Sequence, residues 1–153
     1  MNFETIFSLS SLLVMPFWLL LIFLPRWRVT ERLMAGPWLA FPAALLYAVL
    51  VLPRFVELFT AVSNPTLTGI TTLLGGPAGA TIAWVHFLAF DLFVARWVYL
   101  DGRSRHISSW FISPTLFFVL MLGPVGFLLY LGVRTAVARQ SQPAVSADAI
   151  SGL

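Results

Sequence analysis

The sequence has no cysteine and very little charge. The lack of cysteine among its 153 residues excludes disulfide bonds, thiolate nucleophiles and iron–sulfur or zinc–thiolate sites. Charged residues make up only 10% of the chain and hydrophobic residues 59%, whereas about a quarter of the residues in a soluble domain are charged. Such a composition cannot cover a water-facing surface. It therefore predicts an integral membrane protein with one compact domain.

Lysine is also absent, so every basic residue is arginine. The net charge is +3, but the arginines flank apolar runs and form no basic stripe, so we expect no nucleic-acid partner. The N-terminus, MNFETIFS, has no basic region and no signal-type cleavage site follows, so we expect the first apolar run to be retained as a membrane helix. No P-loop, GxSxG, HExxH or dinucleotide motif occurs, and the familiar soluble enzyme classes therefore find no support.

Four apolar runs predict an all-α fold, an integral membrane four-helix bundle with kinked helices. The predicted spans cover approximately residues 5–24, 37–52, 79–99 and 110–133, and the second helix is expected to extend toward Phe59. Prolines such as Pro16 and Pro114 within the spans predict the kinks. The Asn64-Pro65 turn signal predicts a loop, followed by a short interfacial helix between spans two and three. The domain is expected to cover 5–134, followed by a disordered polar tail over 135–153.

Two features of the predicted spans concern packing and orientation. The run Gly123-Pro124-Val125-Gly126, near the middle of the fourth span, predicts a kink or a close helix–helix approach. Four spans put both termini on one side, and loops one and three carry most of the arginines. The positive-inside rule then places those loops in the cytoplasm and both termini outside it. Arg134 argues against this orientation, because it lies on the side of the termini.

The third span carries His86, Asp91 and Arg96 among apolar residues. A charge near the hydrocarbon centre costs roughly 2.5–3.5 kcal/mol on insertion scales, so such groups normally face a protein interior or a water-filled cavity. Asp91 is the main candidate for proton transfer, the alternative being a structural aspartate that bonds between helices. His86 lies about 140° round the helix from Asp91. The two form no pair on one face, but they could converge on a cavity.

The remaining candidates concern binding of the substrate. Trp84, Phe87, Glu57, Asn64 and Tyr99 are the candidate substrate-binding residues. Glu57 could reach the cavity or lie at the interface, and Tyr99 also fits an interfacial position. Arg96 could anchor the helix at the interface or pair with a carboxylate. Too few ligands are present for a metal site, so we expect no metal and no cofactor.

Three stretches of the chain resemble the abscisic-acid-deficient-four-like family. They are PFWLLLIFLPRW in the first span, WVHFLAFDLFVARWVYLDGRSRHIS in the third and SPTLFFVLMLGPVGFLLYLGVR in the fourth. The most specific part is the pattern His-x-x-Ala-x-Asp-Leu-Phe-x-x-Arg, formed here by His86, Ala89, Asp91, Leu92, Phe93 and Arg96.

The resemblance implies a four-helix membrane protein that acts on, or binds, a carotenoid or another long polyene. Plant members of the family are plastid membrane proteins required to convert violaxanthin to neoxanthin. No plastid transit peptide is recognised in this chain, so it resembles the prokaryotic form and is expected in an inner or photosynthetic membrane. Neoxanthin-type chemistry needs an acid and a base but no redox cofactor. The hypothesis is that Asp91 is the acid and His86 the base, with Arg96 setting the charge balance.

Three functions remain open from the sequence. The chain could be a carotenoid-modifying enzyme, such as an isomerase, an epoxide-opening neoxanthin-synthase-like enzyme or a polyene-cleaving enzyme. It could also be a non-catalytic carotenoid-binding or scaffold protein, or a small transporter that uses the mid-span aspartate. The aromatic content of 15% suits a bound polyene but equally suits contact with membrane lipid. A homodimer is compatible with the limited surface that four helices bury.

Overall fold

The computed structural model describes residues 2–140, without the side chain of Gln140. This part of the chain is helical and contains no strand. Its α-helices are α1 (Phe3–Phe23), α2 (Arg28–Ala35), α3 (Phe41–Val51), α4 (Phe55–Ser63), α5 (Leu67–Gly75), α6 (Pro77–Ser104), α7 (Ser109–Leu122) and α8 (Pro124–Gln140). Short 3-10 segments precede α3 at Pro37–Ala40 and α4 at Leu52–Arg54, so that residues 37–63 form one nearly continuous helical run.

Three helical segments are long and apolar enough to cross a bilayer. They are Phe3–Phe23 with 21 residues, Pro37–Ser63 with 27 and Pro77–Ser104 with 28. About 20 residues suffice to span the hydrocarbon core. These segments correspond to the first three spans predicted from the sequence.

Hydrogen bonds identify the two ends of this bundle. At the Phe3 end, the Thr81 hydroxyl lies 3.5 Å from the Phe3 carbonyl oxygen, and the Arg54 guanidinium lies over the Phe3 ring. At the Tyr99 end, the Tyr99 hydroxyl donates to the Pro25 carbonyl oxygen at 2.8 Å. The start and the end of α1 thus meet the start and the end of α6. These two helices are therefore parallel, and the run 37–63 returns between them.

Local sequence signals explain where several helices begin. The Asn2 side chain accepts a hydrogen bond from the Thr5 amide at 3.3 Å, and the Thr66 hydroxyl accepts one from the Gly69 amide at 3.0 Å. Such caps satisfy amides that have no partner within the helix. Pro77 is the first residue of α6, where its missing amide hydrogen costs nothing.

Helix α6 is the centre of the fold. It packs against α1, α3, α5, α7 and α8, and residues along its whole length are buried. Leu92, Ala95 and Val98 are completely buried against a core that includes Trp18, Leu116 and Tyr130. A smaller cluster towards the Phe3 end joins Leu50 of α3 to Ile82 and Val85 of α6.

The predicted continuous fourth span is wrong, because α7 and α8 form a helical hairpin. In one continuous helix, Ile112 and Tyr130 would be about 27 Å apart, yet both lie within 4 Å of the position that a Cβ of Gly102 would take. The backbone of Gly126 likewise packs directly on the backbone of Val119 in α7. The chain therefore turns back after Leu122 and returns to the Tyr99 end. The described chain thus begins and ends at opposite ends of the bundle. That both termini share one side of the membrane stays a prediction, because residue 153 lies outside the described residues.

The segment before α6 follows the sequence prediction more closely. The second long run continues to Ser63, Asn64 and Pro65 lie in a loop, and the short helix α5 follows. Neither α4 nor α5 has a buried residue. At the other end of the chain, α8 continues to Gln140, so the first residues of the predicted disordered tail are helical. The rest of that predicted tail lies outside the described residues.

Candidate functional site

A cavity of about 600 Å³ lies beside the middle of α6. One wall is formed by α6, and the other is formed by the turn between α7 and α8, including Leu122, Gly123 and Phe127. Phe87 and Phe90, which line the first wall, are 56% and 57% exposed. The cavity is therefore open along the side of the bundle rather than closed inside it.

Asp91 supplies the carboxylate of this cavity. It is the fifteenth of the 28 residues in α6, which puts it at the midpoint of the helix. Its side chain is half-buried and lines the cavity. Among residues 2–140, no side chain or backbone group makes a hydrogen bond or an ion pair with this carboxylate. A carboxylate without protein partners at such a position is available to a ligand.

Gly123 forms the wall that faces the carboxylate. Its φ of 36° is in the left-handed region, which glycine adopts without the penalty that a side chain would add. A Cβ at this position would lie 2.7 Å from Oδ1 of Asp91. Glycine is thus required twice, once for the backbone turn and once to leave space beside the acid.

His86 lines the same cavity one and a half turns before Asp91. Its ring stacks on Phe90 with centroids 4.6 Å apart and lies 5.3 Å from the ring of Tyr47. Neither ring nitrogen has a hydrogen-bond partner in the described part of the chain. The two ionisable groups therefore converge on one cavity, as the sequence allowed, without contacting each other through a hydrogen bond.

Trp84 and Phe87 also line the cavity, and their role in binding a substrate stays a prediction. The Trp84 indole donates to the Ser11 hydroxyl at 3.0 Å, and its ring centroid lies 5.2 Å from that of Phe7. These contacts hold the indole against α1. It therefore forms a fixed border of the cavity towards the Phe3 end.

In the structure, Arg96 bonds to backbone carbonyls and not to a carboxylate. Its Nε donates to the carbonyl oxygens of Met34 and Gly36, both at 2.9 Å, and one terminal nitrogen donates to Ala35 at 3.1 Å. These carbonyls end helix α2, where no helical amides remain to bond them. Arg96 thus anchors α2 to α6. It is not a hydrogen-bond partner of Asp91.

Tyr99, Glu57 and Asn64 do not line this cavity either. Tyr99 is buried in the core and bonded to Pro25. Glu57 borders a separate, shallow depression between α4 and the start of α6, and Asn64 ends α4 in an exposed position. The sequence could not separate these residues from the site, because their distance from Asp91 depends on where the connecting segment folds.

The α7–α8 turn supplies cavity residues that were not predicted. They are Leu120, Met121, Leu122, Gly123, Pro124 and Phe127. The Gly-Pro-x-Gly run predicted a kink or a close helix–helix approach within one span, and the close approach is present between Gly126 and Val119. Within residues 2–140, no group of three or more metal-ligating side chains is arranged to hold an ion.

These features define a class of protein. It is an apolar helical protein in which one carboxylate at the middle of the central helix faces a laterally open, aromatic-lined cavity. Residues 5–130 match the sequence profile of the family described as ABA DEFICIENT 4-like. The chain therefore belongs to this family, as its motifs indicated.

One curated relative is Protein ABA DEFICIENT 4, chloroplastic, from Arabidopsis thaliana. It is 24% identical over 143 residues, a match that covers 90% of this chain and 64% of that protein. The chain thus spans somewhat less than two thirds of the relative's length. No solved structure matches the chain.

Proposed function

We propose that this chain is an integral membrane protein of carotenoid metabolism that binds a long polyene beside Asp91 and isomerises it by proton transfer. The observation that carries the proposal is the Asp91 carboxylate halfway along the central apolar helix, which has a cavity beside it and no hydrogen-bond partner among residues 2–140. Membership of the ABA DEFICIENT 4-like family supports the choice of a carotenoid, because the resemblance of the motifs around His86 and Asp91 to this family implies a carotenoid ligand.

Membrane residence is supported by the three long apolar segments and by the position of their arginines. Because α8 returns to the Tyr99 end of the bundle, eight of the nine arginines lie at or near that end. Arg54 alone lies at the Phe3 end. The eight are Arg26, Arg28, Arg32, Arg96, Arg103, Arg105, Arg134 and Arg139. The positive-inside rule then puts the Tyr99 end in the cytoplasm and Asn2 on the opposite side. In this orientation α7 and α8 form a re-entrant hairpin that packs against α6.

The absence of cysteine allows this orientation to be tested directly. Single-cysteine variants Ser63→Cys at the Phe3 end and Ala138→Cys at the end of α8 would be treated with an impermeant maleimide on intact cells. We expect labelling of Ser63→Cys before permeabilisation and of Ala138→Cys only after it. Labelling of both from outside would instead support four spans and contradict the re-entrant hairpin.

The cavity has the character that a polyene requires. Its walls are aromatic and aliphatic, and it opens sideways at the depth of Asp91, so an apolar molecule can enter from the bilayer without crossing water. The exposed rings of Phe87 and Phe90 offer flat faces to a conjugated chain. His86 and Asp91 are then the groups available to a polar end or ring of the ligand.

The proposed step is a proton-neutral isomerisation. Asp91, in its protonated form, donates a proton to an epoxide oxygen, and the adjacent carbon–oxygen bond breaks. His86 removes a proton from a neighbouring carbon, and the electrons of that carbon–hydrogen bond form a new double bond. One proton is added and one removed, so no electron acceptor is needed. Return of the proton from His86 to Asp91 restores the starting state.

A second candidate is a non-catalytic carotenoid-binding protein. The ring of His86 is stacked between aromatic side chains and makes no hydrogen bond to Asp91. This arrangement suits a fixed wall of a binding site as well as it suits a base. A small transporter is the third candidate, and a purified protein without bound polyene would favour it.

The deciding experiment combines colour with product analysis. The protein purified from a carotenoid-producing host should show polyene absorption, and an added epoxy-xanthophyll should be converted to an isomer of equal mass. Asp91→Asn should lower turnover by about 10²–10⁴-fold, the usual contribution of a general acid, while colour and yield are retained. The matched control is Glu57→Gln, which removes an acid outside the cavity and should leave turnover unchanged.

The outcomes separate the candidates. Retained colour without product from the unaltered protein would support the binding protein and overturn the enzyme. Equal turnover by Asp91→Asn and the unaltered protein would remove Asp91 from the mechanism. Absence of colour together with absence of product would contradict both carotenoid functions.

A further inference from the structure

A second groove lies at the Tyr99 end, between the last turn of α1 and the first turns of α7. It has a volume of about 670 Å³ and is separate from the Asp91 cavity. Its polar residues include Arg26, Ser109 and Ser113, and its apolar residues include Phe23 and Phe117. The groove therefore offers one cationic part and one apolar part to the same ligand.

Arg26 is the cation of this groove, and it is unused in the described structure. Its guanidinium makes no hydrogen bond, ion pair or ring contact with any residue from 2 to 140. Arg103 and Arg105, which lie at the same end of the bundle, are instead bonded to Glu31 and Asp101 at 2.7 and 2.9 Å. Within the described part of the chain, no acidic residue lines the groove. The positive charge of Arg26, an exposed residue, is thus unpaired among the described residues and available to an anion.

Two hydroxyls add hydrogen-bond donors beside this charge. Ser109 and Ser113 are four residues apart on α7, so their side chains lie on one face of the helix. Both are half-buried, and neither hydroxyl has a hydrogen-bond partner within the described chain. A planar guanidinium and two hydroxyl donors suit the oxygens of a phosphate group.

The apolar part of the groove extends from the charge towards the middle of the bundle. Phe23 and Phe117 lie on its two walls and are 71% and 47% exposed. The indole of Trp110 at the mouth is 83% exposed, as is common for tryptophan at the level of lipid headgroups. A ligand that meets all these groups must combine a phosphate with a hydrocarbon chain.

We infer that this groove binds one anionic phospholipid, with its phosphate on Arg26, Ser109 and Ser113 and an acyl chain between Phe23 and Phe117. The inference rests on the proposed membrane residence but not on carotenoid chemistry, because the groove and the Asp91 cavity share no residue. Bound at this place, the lipid would join α1 to the start of the α7–α8 hairpin at the cytoplasmic face.

The test is lipid retention by the full chain in native mass spectrometry, after reconstitution with equal amounts of phosphatidylglycerol and phosphatidylcholine. We expect one phosphatidylglycerol to remain bound, and Arg26→Gln to reduce its retention by at least about tenfold through loss of the charge-assisted bonds. The matched control is Arg28→Gln, two residues further along, which removes an exposed arginine that does not line the groove. The double variant Ser109→Ala and Ser113→Ala should give a smaller loss.

Each outcome bears on the inference directly. Equal retention of the two lipids, or equal loss in Arg26→Gln and Arg28→Gln, would show diffuse attraction to the membrane surface and overturn the site. Displacement of the lipid by millimolar inorganic phosphate would show that the acyl chain contributes nothing. The measurement requires no carotenoid, so its failure leaves the proposed carotenoid chemistry standing, and failure of that chemistry leaves the lipid site standing.

Discussion

Asp91 and Asp101 occupy the same helix, ten residues apart, and have opposite environments. Asp101 accepts hydrogen bonds from the Tyr130 hydroxyl and from Arg105 at 2.9 Å, and its Oδ2 lies 3.2 Å from Nε of Arg134. Asp91 has no such partner among residues 2–140 and faces a cavity. The same side chain is therefore saturated at the end of α6 and unsatisfied at its middle.

The difference arises from two contacts that the α7–α8 hairpin makes with α6. Its returning arm, α8, brings Tyr130 and Arg134 onto Asp101 and so holds the hairpin at the Tyr99 end. Its turn places Gly123, which carries no side chain, next to Asp91. Stability is concentrated where the bonds are complete, and the capacity to bind a ligand lies where they are missing.

The largest difference is expected when each aspartate is replaced by asparagine. Asp101→Asn removes the charge that faces two arginines, and hydrogen bonds to charged groups contribute about 1.5–3 kcal/mol each. We expect this variant to be about 2 kcal/mol less stable in a denaturant titration in detergent. Asp91→Asn should leave stability unchanged or raise it slightly, because a carboxylate without partners is lost.

Equal destabilisation by the two substitutions would contradict this difference between Asp91 and Asp101, since it would mean that Asp91 is also a structural residue. The purified variants should first be compared by circular dichroism to check that helix content is retained.

The second effect concerns the space beside Asp91. Gly123→Ala should destabilise the protein by about 1–2 kcal/mol, because alanine is disfavoured at a positive φ. Its Cβ would also crowd Oδ1 of Asp91 at 2.7 Å, so the yield of bound pigment should fall by more than this loss of stability explains. Pigment absorbance per mole of purified protein measures this.

The control for this substitution is Gly75→Ala, since a Cβ at Gly75 would meet nothing within 4 Å. It should retain both pigment and stability. If Gly123→Ala binds pigment as well as Gly75→Ala does, the space at the turn is not part of the binding site.

The smallest effect should come from the exposed ion pair near Asp101. Glu31 and Arg103 are in contact at 2.7 Å, but their side chains are 39% and 47% exposed. Exposed pairs contribute about 0.2–1 kcal/mol, because water already solvates both charges. Glu31→Gln should therefore lower stability by less than Asp101→Asn does, and added salt should reduce the difference further. A larger loss would mean that α2 docking depends on this pair rather than on Arg96.

Sequence patterns were sufficient for much of the fold and for part of the site. Continuous apolar runs predicted the first three long helices, and the Asn64-Pro65 signal predicted the loop before α5. Ionisable residues within an apolar run identified Asp91 and His86, both of which line the cavity. These inferences follow because an unpaired charge in apolar surroundings and a proline within a helix are costly wherever the chain goes.

The hairpin could not be predicted from the same patterns. Residues 110–133 are apolar throughout, and both a spanning helix and a hairpin bury such residues equally well. The choice depends on contacts between distant residues, such as Gly126 on Val119 and Tyr130 on Asp101. The hydrogen bonds of Arg96 could not be predicted either. Their acceptors are backbone carbonyls at the end of α2, and since every residue has a carbonyl, the sequence does not show which of them lie near Arg96.

The types of residue and their spacing thus specified an apolar, helical, cysteine-free chain with a few polar groups that are costly to bury. Only the packed molecule distinguished the aspartate that is fully bonded from the one that is free. Hydrogen bonds and open space depend on which segments meet, and a glycine turn more than thirty residues away in the chain determined what lies beside Asp91.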